Sequence, residues 1–229
     1  MRRIGLLGGM SWESSALYYQ LINEGVRDRL GGLHSADLVM VSVDFAEIER
    51  LQSDGDWDRA GELLAAEAVH LERAGADCVV LCTNTMHKVA DRIQAAVRIP
   101  LLHLGDVTAR AVLSAGITSV ALLGTRFTMQ ETFYRDRLEQ HGLRVIVPAP
   151  PAQAELNRII YDELVRGIVD AGSREVYQRA IADLVGQGAQ GVILGCTEIE
   201  LLIGPEDSPV PVFPTTALHA TAAVDFSLD

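Results

Sequence analysis

The sequence predicts an α/β protein made of two related halves, each a parallel sheet covered by helices. Two observations carry this expectation. Short apolar runs alternate with helical patterns along the chain, and such alternation favours parallel strands joined by crossover helices. The chain also repeats itself. IGLLGGMSWESSALYYQLI from Ile4 resembles VALLGTRFTMQETFYRDRL from Val120, and AGADCVVLCTNT from Ala74 lies over QGAQGVILGCTE from Gln187.

Taken in order, the apolar runs predict strands near 4–7, 38–43, 78–81, 101–104, 120–123, 145–147, 192–194 and 212–213. Apolar and small residues at helical spacing predict helices over 61–74, 126–141 and 176–187, with AGELLAAEAVHLERAG the clearest core-facing pattern. A third repeated pair, VRIPLLH and SPVPVFP, sets Pro100 over Pro211. No low-complexity linker interrupts the alternation.

Composition narrows the function. The 229 residues are 48% hydrophobic and 22% charged, ordinary for a soluble globular protein with a sizeable core. A net charge of -12 gives no electrostatic footing for nucleic acid or an anionic membrane surface as a principal partner. No stretch approaches the roughly 20 apolar residues that span a bilayer. The opening MRRIGLLGGMSWES mimics a secretory signal, but its apolar run meets Ser11, Trp12 and Glu13 too early. It reads as a first strand in a cytoplasmic protein. Three cysteines, Cys78, Cys82 and Cys196, form no scaffold spacing and suit free thiols in a reducing compartment.

The second repeat singles out two residues. At its offset of 113, Cys196 falls on Thr83 and Cys82 on Gly195. Both Thr83 and Cys196 then follow a buried strand, where open α/β sheets keep their ligand sites. If a pseudo-two-fold axis relates the halves, the pair would address opposite faces of one small molecule. Such a pair suits inversion of a stereocentre bearing an acidic C–H. Cys196 as a thiolate is the expected base, its pKa of about 8.5 lowered by a helix start after GCTE. Thr83 offers a hydroxyl that caps a helix, binds a carboxylate or takes part in proton transfer. Asn84, Thr85 and Thr197 suit an α-carboxylate held at two helix starts. Gly8, Gly9 and Met10, with Gly124 and Thr125, form the remaining loops at strand ends; their glycines allow a close ligand approach or serve a tight turn.

Other chemistries find little support. GLLGGMS is not G-x-G-x-x-G and no P-loop motif occurs. The chain has one lysine, Lys88, which reads as the start of a solvated helix rather than as a Schiff-base residue. His87 has no second histidine at ligand spacing, so no metal site is expected. SDGDWDRAGE fails the calcium-loop spacing.

LCTNTMH and LGCTEIELL, with the GLLGGMSWES opening, LLGTRFTM and VPVFPTTALHA, resemble the aspartate/glutamate racemase family over essentially the whole chain, most closely its enterobacterial-type broad-specificity members. The resemblance implies a cofactor-independent amino-acid racemase with two Rossmann-like domains and an active site in the cleft between them. It implies domains of 1–98 plus 212–229 and of 99–211, and a homodimer. Family members commonly carry C-N-T and G-C-T. Here Thr83 stands directly before Asn84, so the catalytic assignment passes to Thr83 and Cys196. The family's substrate contacts map onto Met10, Gln52, Asn84, Thr85, Thr125 and Thr197, with Glu163 as a partner for the substrate ammonium. Hydantoin racemases and isomerases of small dicarboxylates share the architecture. A Cys196–His87 hydrolase and an amino-acid binder without turnover are the readings from other classes.

Overall fold

The computed structural model describes residues 1–229. The strands are β1 (Ile4–Gly8), β2 (Leu38–Ser42), β3 (Cys78–Leu81), β4 (Ser119–Gly124), β5 (Arg144–Ile146), β6 (Gly191–Gly195) and β7 (Val212–Pro214). The helices are α1 (Trp12–Leu30), α2 (Phe45–Asp54), α3 (Trp57–Arg73), α4 (Ala90–Ala96), α5 (Leu104–Ser114), α6 (Arg126–Gln130), α7 (Thr132–Gln140), α8 (Pro150–Asp162), α9 (Ala171–Gly186) and α10 (Thr215–Leu228). All strand pairs are parallel, in the orders β2-β1-β3 and β5-β4-β6-β7. Contacts divide the chain into Met1–Leu104 with His219–Asp229, and Gly105–Leu218.

In the first unit, β1 is buried at every position, as a strand covered on both faces must be. Ile4 and Leu6 join Cys78, Val80 and Cys82 against Tyr18, Ile22 and Val26 of α1 and Ala220, Ala223 and Val224 of α10. Leu7, Val79 and Leu81 face Ile48 and Leu51 of α2, Leu64 and Leu71 of α3 and Ile93 of α4. The period of two thus divides each strand between two helical layers. In the second unit, Ala121 and Leu123 of β4 and Val192 and Leu194 of β6 pack on Leu156 and Ile160 of α8 and Tyr177 and Ile181 of α9.

The internal repeat is a repeat of hydrogen bonding. Ile4 pairs with Cys78 and Val120 with Gly191, the same register carried along the chain. Val79 N–H donates to Pro100 O at 2.9 Å, and Val192 N–H donates to Pro211 O at the same distance. The expected strand over 101–104 shrinks to one bridge between Val79 and Leu101, because α5 begins at Leu104.

One expectation needs correction. The helix expected over 126–141 is broken at Glu131, whose extended backbone (φ -81, ψ 155) ends α6 and starts α7. β7 is the edge strand of the second sheet, and the Thr215 hydroxyl fastens the start of α10 to Leu194 O at 2.8 Å.

Candidate active site

Most candidate residues lie at the carboxyl ends of the strands, whereas Gln52 lies in α2 and Glu163 ends α8. In the first unit, Cys82 N–H donates to Leu7 O at 2.9 Å, so the chain leaving β3 runs beside the Gly8–Gly9–Met10 turn leaving β1. Thr83, Asn84 and Thr85 follow and are buried. Thr83 N–H closes a three-residue turn onto Leu81 O at 2.8 Å. His87 N–H then bonds Asn84 O at 3.1 Å, opening a single 3-10 turn over Thr85–Val89. Asn84 occupies the cap position of that turn without a side-chain cap bond. Cys82 is buried among Ile4, Leu6 and Val80, away from this edge, and burial holds its thiol far above the ordinary range.

Met10 and Met86 share one apolar cluster, and Gln52 Nε2 donates to Met86 Sδ at 2.9 Å. The first unit thus brings Met10, Gln52 and the Thr83–Met86 segment together. The glycines of the first turn serve packing. A Cβ on Gly8 would collide with the Ser15 hydroxyl, and one on Gly9 (φ +94) with the Val43 backbone. Gly9 N–H also donates to Ser15 Oγ at 2.8 Å.

In the second unit, Gly124 pairs with Gly195, so Thr125 and Cys196 leave adjacent strands side by side. Thr125 caps α6, its hydroxyl accepting from Thr128 N–H at 3.4 Å. Cys196 continues the Val192–Leu194 face and is 8% exposed. Its Sγ donates to Glu198 Oε2 at 2.9 Å. The next segment is a five-residue 3-10 turn, Thr197–Leu201, carrying Glu198 and Glu200 in its first turn. Thr216, at the start of α10, donates its hydroxyl to Thr197 Oγ1 at 3.2 Å and its N–H to Glu200 Oε1 at 3.2 Å.

The electrostatics correct the thiolate expectation. Burial first, then the Glu198 carboxylate, pushes the Cys196 thiol well above its ordinary pKa, with Glu200 adding to the effect. A short turn bearing two acids cannot supply the stabilising helix start that GCTE suggests. Cys196 rests as a thiol with a carboxylate placed to receive its proton. Glu200 is pushed up to about 7, chiefly by burial, with Thr216 opposing and Glu198 adding to the rise. Sequence patterning does not single out Glu198, Glu200 or Thr216. The one signal for Glu198 is its place two residues after Cys196, within reach only because the turn is tight.

Glu163 closes α8, and both its oxygens are engaged: Oε1 with Arg158 Nη1 at 2.9 Å and Oε2 with the Ser173 hydroxyl at 2.5 Å. Its charge is partly neutralised by Arg158. Glu163 and Cys196 both act on Tyr177, whose hydroxyl is raised well above its usual pKa by burial first and then by those two groups. No group of three His, Cys, Asp or Glu side chains is arranged to hold a metal ion. No helix is long and apolar enough to cross a membrane.

Comparison with known proteins places this geometry among relatives. The model of a family described as Asp/Glu/Hydantoin racemase matches residues 7–223. The chain is similar to a Yersinia pestis crystal structure described as a candidate Asp/Glu racemase, at 54% identity, TM-score 0.96 and full coverage of both chains. It is similar to an aspartate racemase homologue from Pyrococcus horikoshii at 35% identity and TM-score 0.89, again with 100% of both chains covered. A broad specificity amino-acid racemase of Bacillus subtilis, RacX, is 24% identical over 226 residues, 96% of each chain.

Proposed function

The chain belongs to the Asp/Glu/hydantoin racemase family, and from that premise we propose that it is a cofactor-independent racemase interconverting the L- and D-forms of an acidic amino acid. The observation that carries the reading is the Cys196 thiol 2.9 Å from the Glu198 carboxylate at the carboxyl end of β6. Thr83 stands at the matching end of β3. The relatives named as an aspartate racemase homologue and a broad specificity amino-acid racemase support an amino-acid substrate.

In this reading Glu198 takes the thiol proton when substrate is bound. The substrate ammonium brings a positive charge that offsets the two glutamates and favours the thiolate. The thiolate then removes the Cα proton on its own face. Negative charge moves onto the substrate carboxylate, where side-chain and backbone donors of Asn84, Thr85 and Thr197 receive it. Thr83 gives its hydroxyl proton to the opposite face while taking one from solvent water, so that no alkoxide accumulates. Met10, Gln52 and Thr125 complete the proposed contacts. Glu163 serves as the ammonium partner while Arg158 limits its net charge.

The unlike pair predicts that Cys196 exchanges a Cα proton with retention more readily than the two groups together invert the centre. The test is proton NMR in D₂O with separate L- and D-aspartate and L- and D-glutamate, no cofactor added, and chiral analysis of the products. Loss of the Cα signal with inversion is the expected result. No exchange with these or with hydantoins and small dicarboxylates would defeat the reading and leave a binding protein.

A further inference from the structure

The racemase mechanism leaves one histidine cluster unused: His87 and His219 are buried, His103 is half-buried, and the His87 ring meets the other two edge to face. The His87 ring centroid lies 4.8 Å from that of His103 and 5.8 Å from that of His219. His87 is 4% exposed, and its two nitrogens meet backbone groups of opposite kind. Nδ1 lies 2.7 Å from Thr83 O, and Leu104 N–H points at Nε2 from 3.2 Å. A carbonyl only accepts and an amide N–H only donates, so one tautomer satisfies both: the proton is on Nδ1 and Nε2 is bare. His219 carries the reverse arrangement, Nε2–H donating to Leu102 O at 2.6 Å and Nδ1 accepting from the Tyr18 hydroxyl at 2.9 Å.

The consequence falls on Thr83. Its N–H is tied to Leu81 O, and its carbonyl is tied to His87. Both ends of the residue are held, which fixes the direction of its Cα–Cβ bond and so the arc on which the hydroxyl lies. Because a peptide unit is planar, the bond to the Thr83 carbonyl also aims Asn84 N–H away from the His87 ring. We infer that His87 is the positioning residue for Thr83: its neutral Nδ1–H form locks the Thr83 carbonyl against the Leu104 amide and thereby sets the hydroxyl that serves the second face of the substrate. This rests on the racemase reading, in which Thr83 takes part in inversion but not in exchange at the Cys196 face. Burial and the neighbouring histidines hold His87 well below its usual pKa, in agreement with a ring kept neutral.

Two processes measured on one sample separate positioning from general support. In D₂O, a substrate deprotonated by Cys196 either regains a deuteron on that face, with retention, or is inverted through Thr83. His87→Leu is expected to lower inversion about tenfold, the equivalent of one net hydrogen bond of roughly 1.4 kcal/mol, while changing retention exchange less than about twofold. His87→Asn, whose amide N–H replaces that of Nδ1, is expected to return inversion to within about threefold of the parent. Equal losses in both processes, or no loss in either, would overturn the inference. If His87→Leu does not fold, His87→Gln, whose amide sits at the Nε2 end, takes its place against His87→Asn. Long-range ¹H–¹⁵N imidazole spectra of the unaltered protein supply a readout free of turnover. A proton on Nε2 of His87 would refute positioning even if racemisation occurs, whereas a parent enzyme that neither exchanges nor inverts would refute the racemase reading.

Discussion

Glu200→Gln separates the cost of a buried carboxylate from the hydrogen bonds it makes. The Glu200 carboxyl is pushed up from 4.5 to about 7. The folded protein therefore holds a proton that the unfolded chain has released between those values. With more protons bound in the folded state, stability falls as pH rises through that window, and the deficit is complete above pH 7. A gap of about 2.5 pH units corresponds to at most about 3 kcal/mol. Glutamine cannot ionise, yet its carbonyl still accepts from Thr216 N–H. The substitution should leave stability near that of the parent at pH 4.5 and raise it by up to about 3 kcal/mol at pH 8. Denaturant titrations at several pH values measure this. Both tryptophans, Trp12 and Trp57, lie in the first unit, so their fluorescence follows that unit, and far-UV circular dichroism adds the second. An equal change at pH 4.5 and pH 8 would mean that Glu200 titrates as an ordinary exposed carboxylate, and the reasoning would fail.

Other consequences follow from the same geometry. Glu198→Gln keeps the shape of the turn but removes the acceptor for the thiol proton, so kcat should fall by about 10²-fold or more with KM little changed. Steady-state kinetics in both directions check it; an unchanged kcat would remove Glu198 from proton transfer. His219 is lowered to about 4 by burial, so the unfolded chain takes up its proton first as pH falls. Its contribution to stability is full above about pH 6.5 and is lost on the way to pH 4, a change of about 3 kcal/mol that His87 shares in direction. In His219→Gln, tryptophan-monitored unfolding should show a shallower acid slope than in the parent. An unaltered slope would contradict the burial argument.

Much of the fold is legible in the sequence because the central strands are buried on both faces and leave long apolar runs. The offset of 113 residues is more informative than any single motif, because Val79–Pro100 and Val192–Pro211 make the same backbone bond in each unit. That offset alone sets Thr83 against Cys196. What stays hidden depends on contacts that spacing does not encode. The Glu131 break in the expected helix rests on one extended residue amid helix-compatible ones. The pKa shift of Cys196 has the opposite sign to the one expected because burial of the thiol comes first and the 3-10 turn then brings the Glu198 carboxylate onto it, with Glu200 adding to the rise. His87 reads as a base or ligand because its partners, Thr83 O and Leu104 N–H, are backbone atoms. The engagement of Glu163 is hidden because Ser173 reaches it across the loop that joins α8 to α9, while Arg158 pairs with it from five residues earlier on α8.

In the proposed reaction Cys196, as the thiolate, removes the substrate Cα proton without a cofactor. Cα hydrogen–deuterium exchange, followed by proton NMR with each enantiomer for the parent protein and for Cys196→Ala side by side, tests it most directly. Exchange and inversion are expected in the parent, with loss of both by at least about 10³-fold in the variant with its fold intact by circular dichroism. Exchange that survives in Cys196→Ala at the parent rate would contradict it.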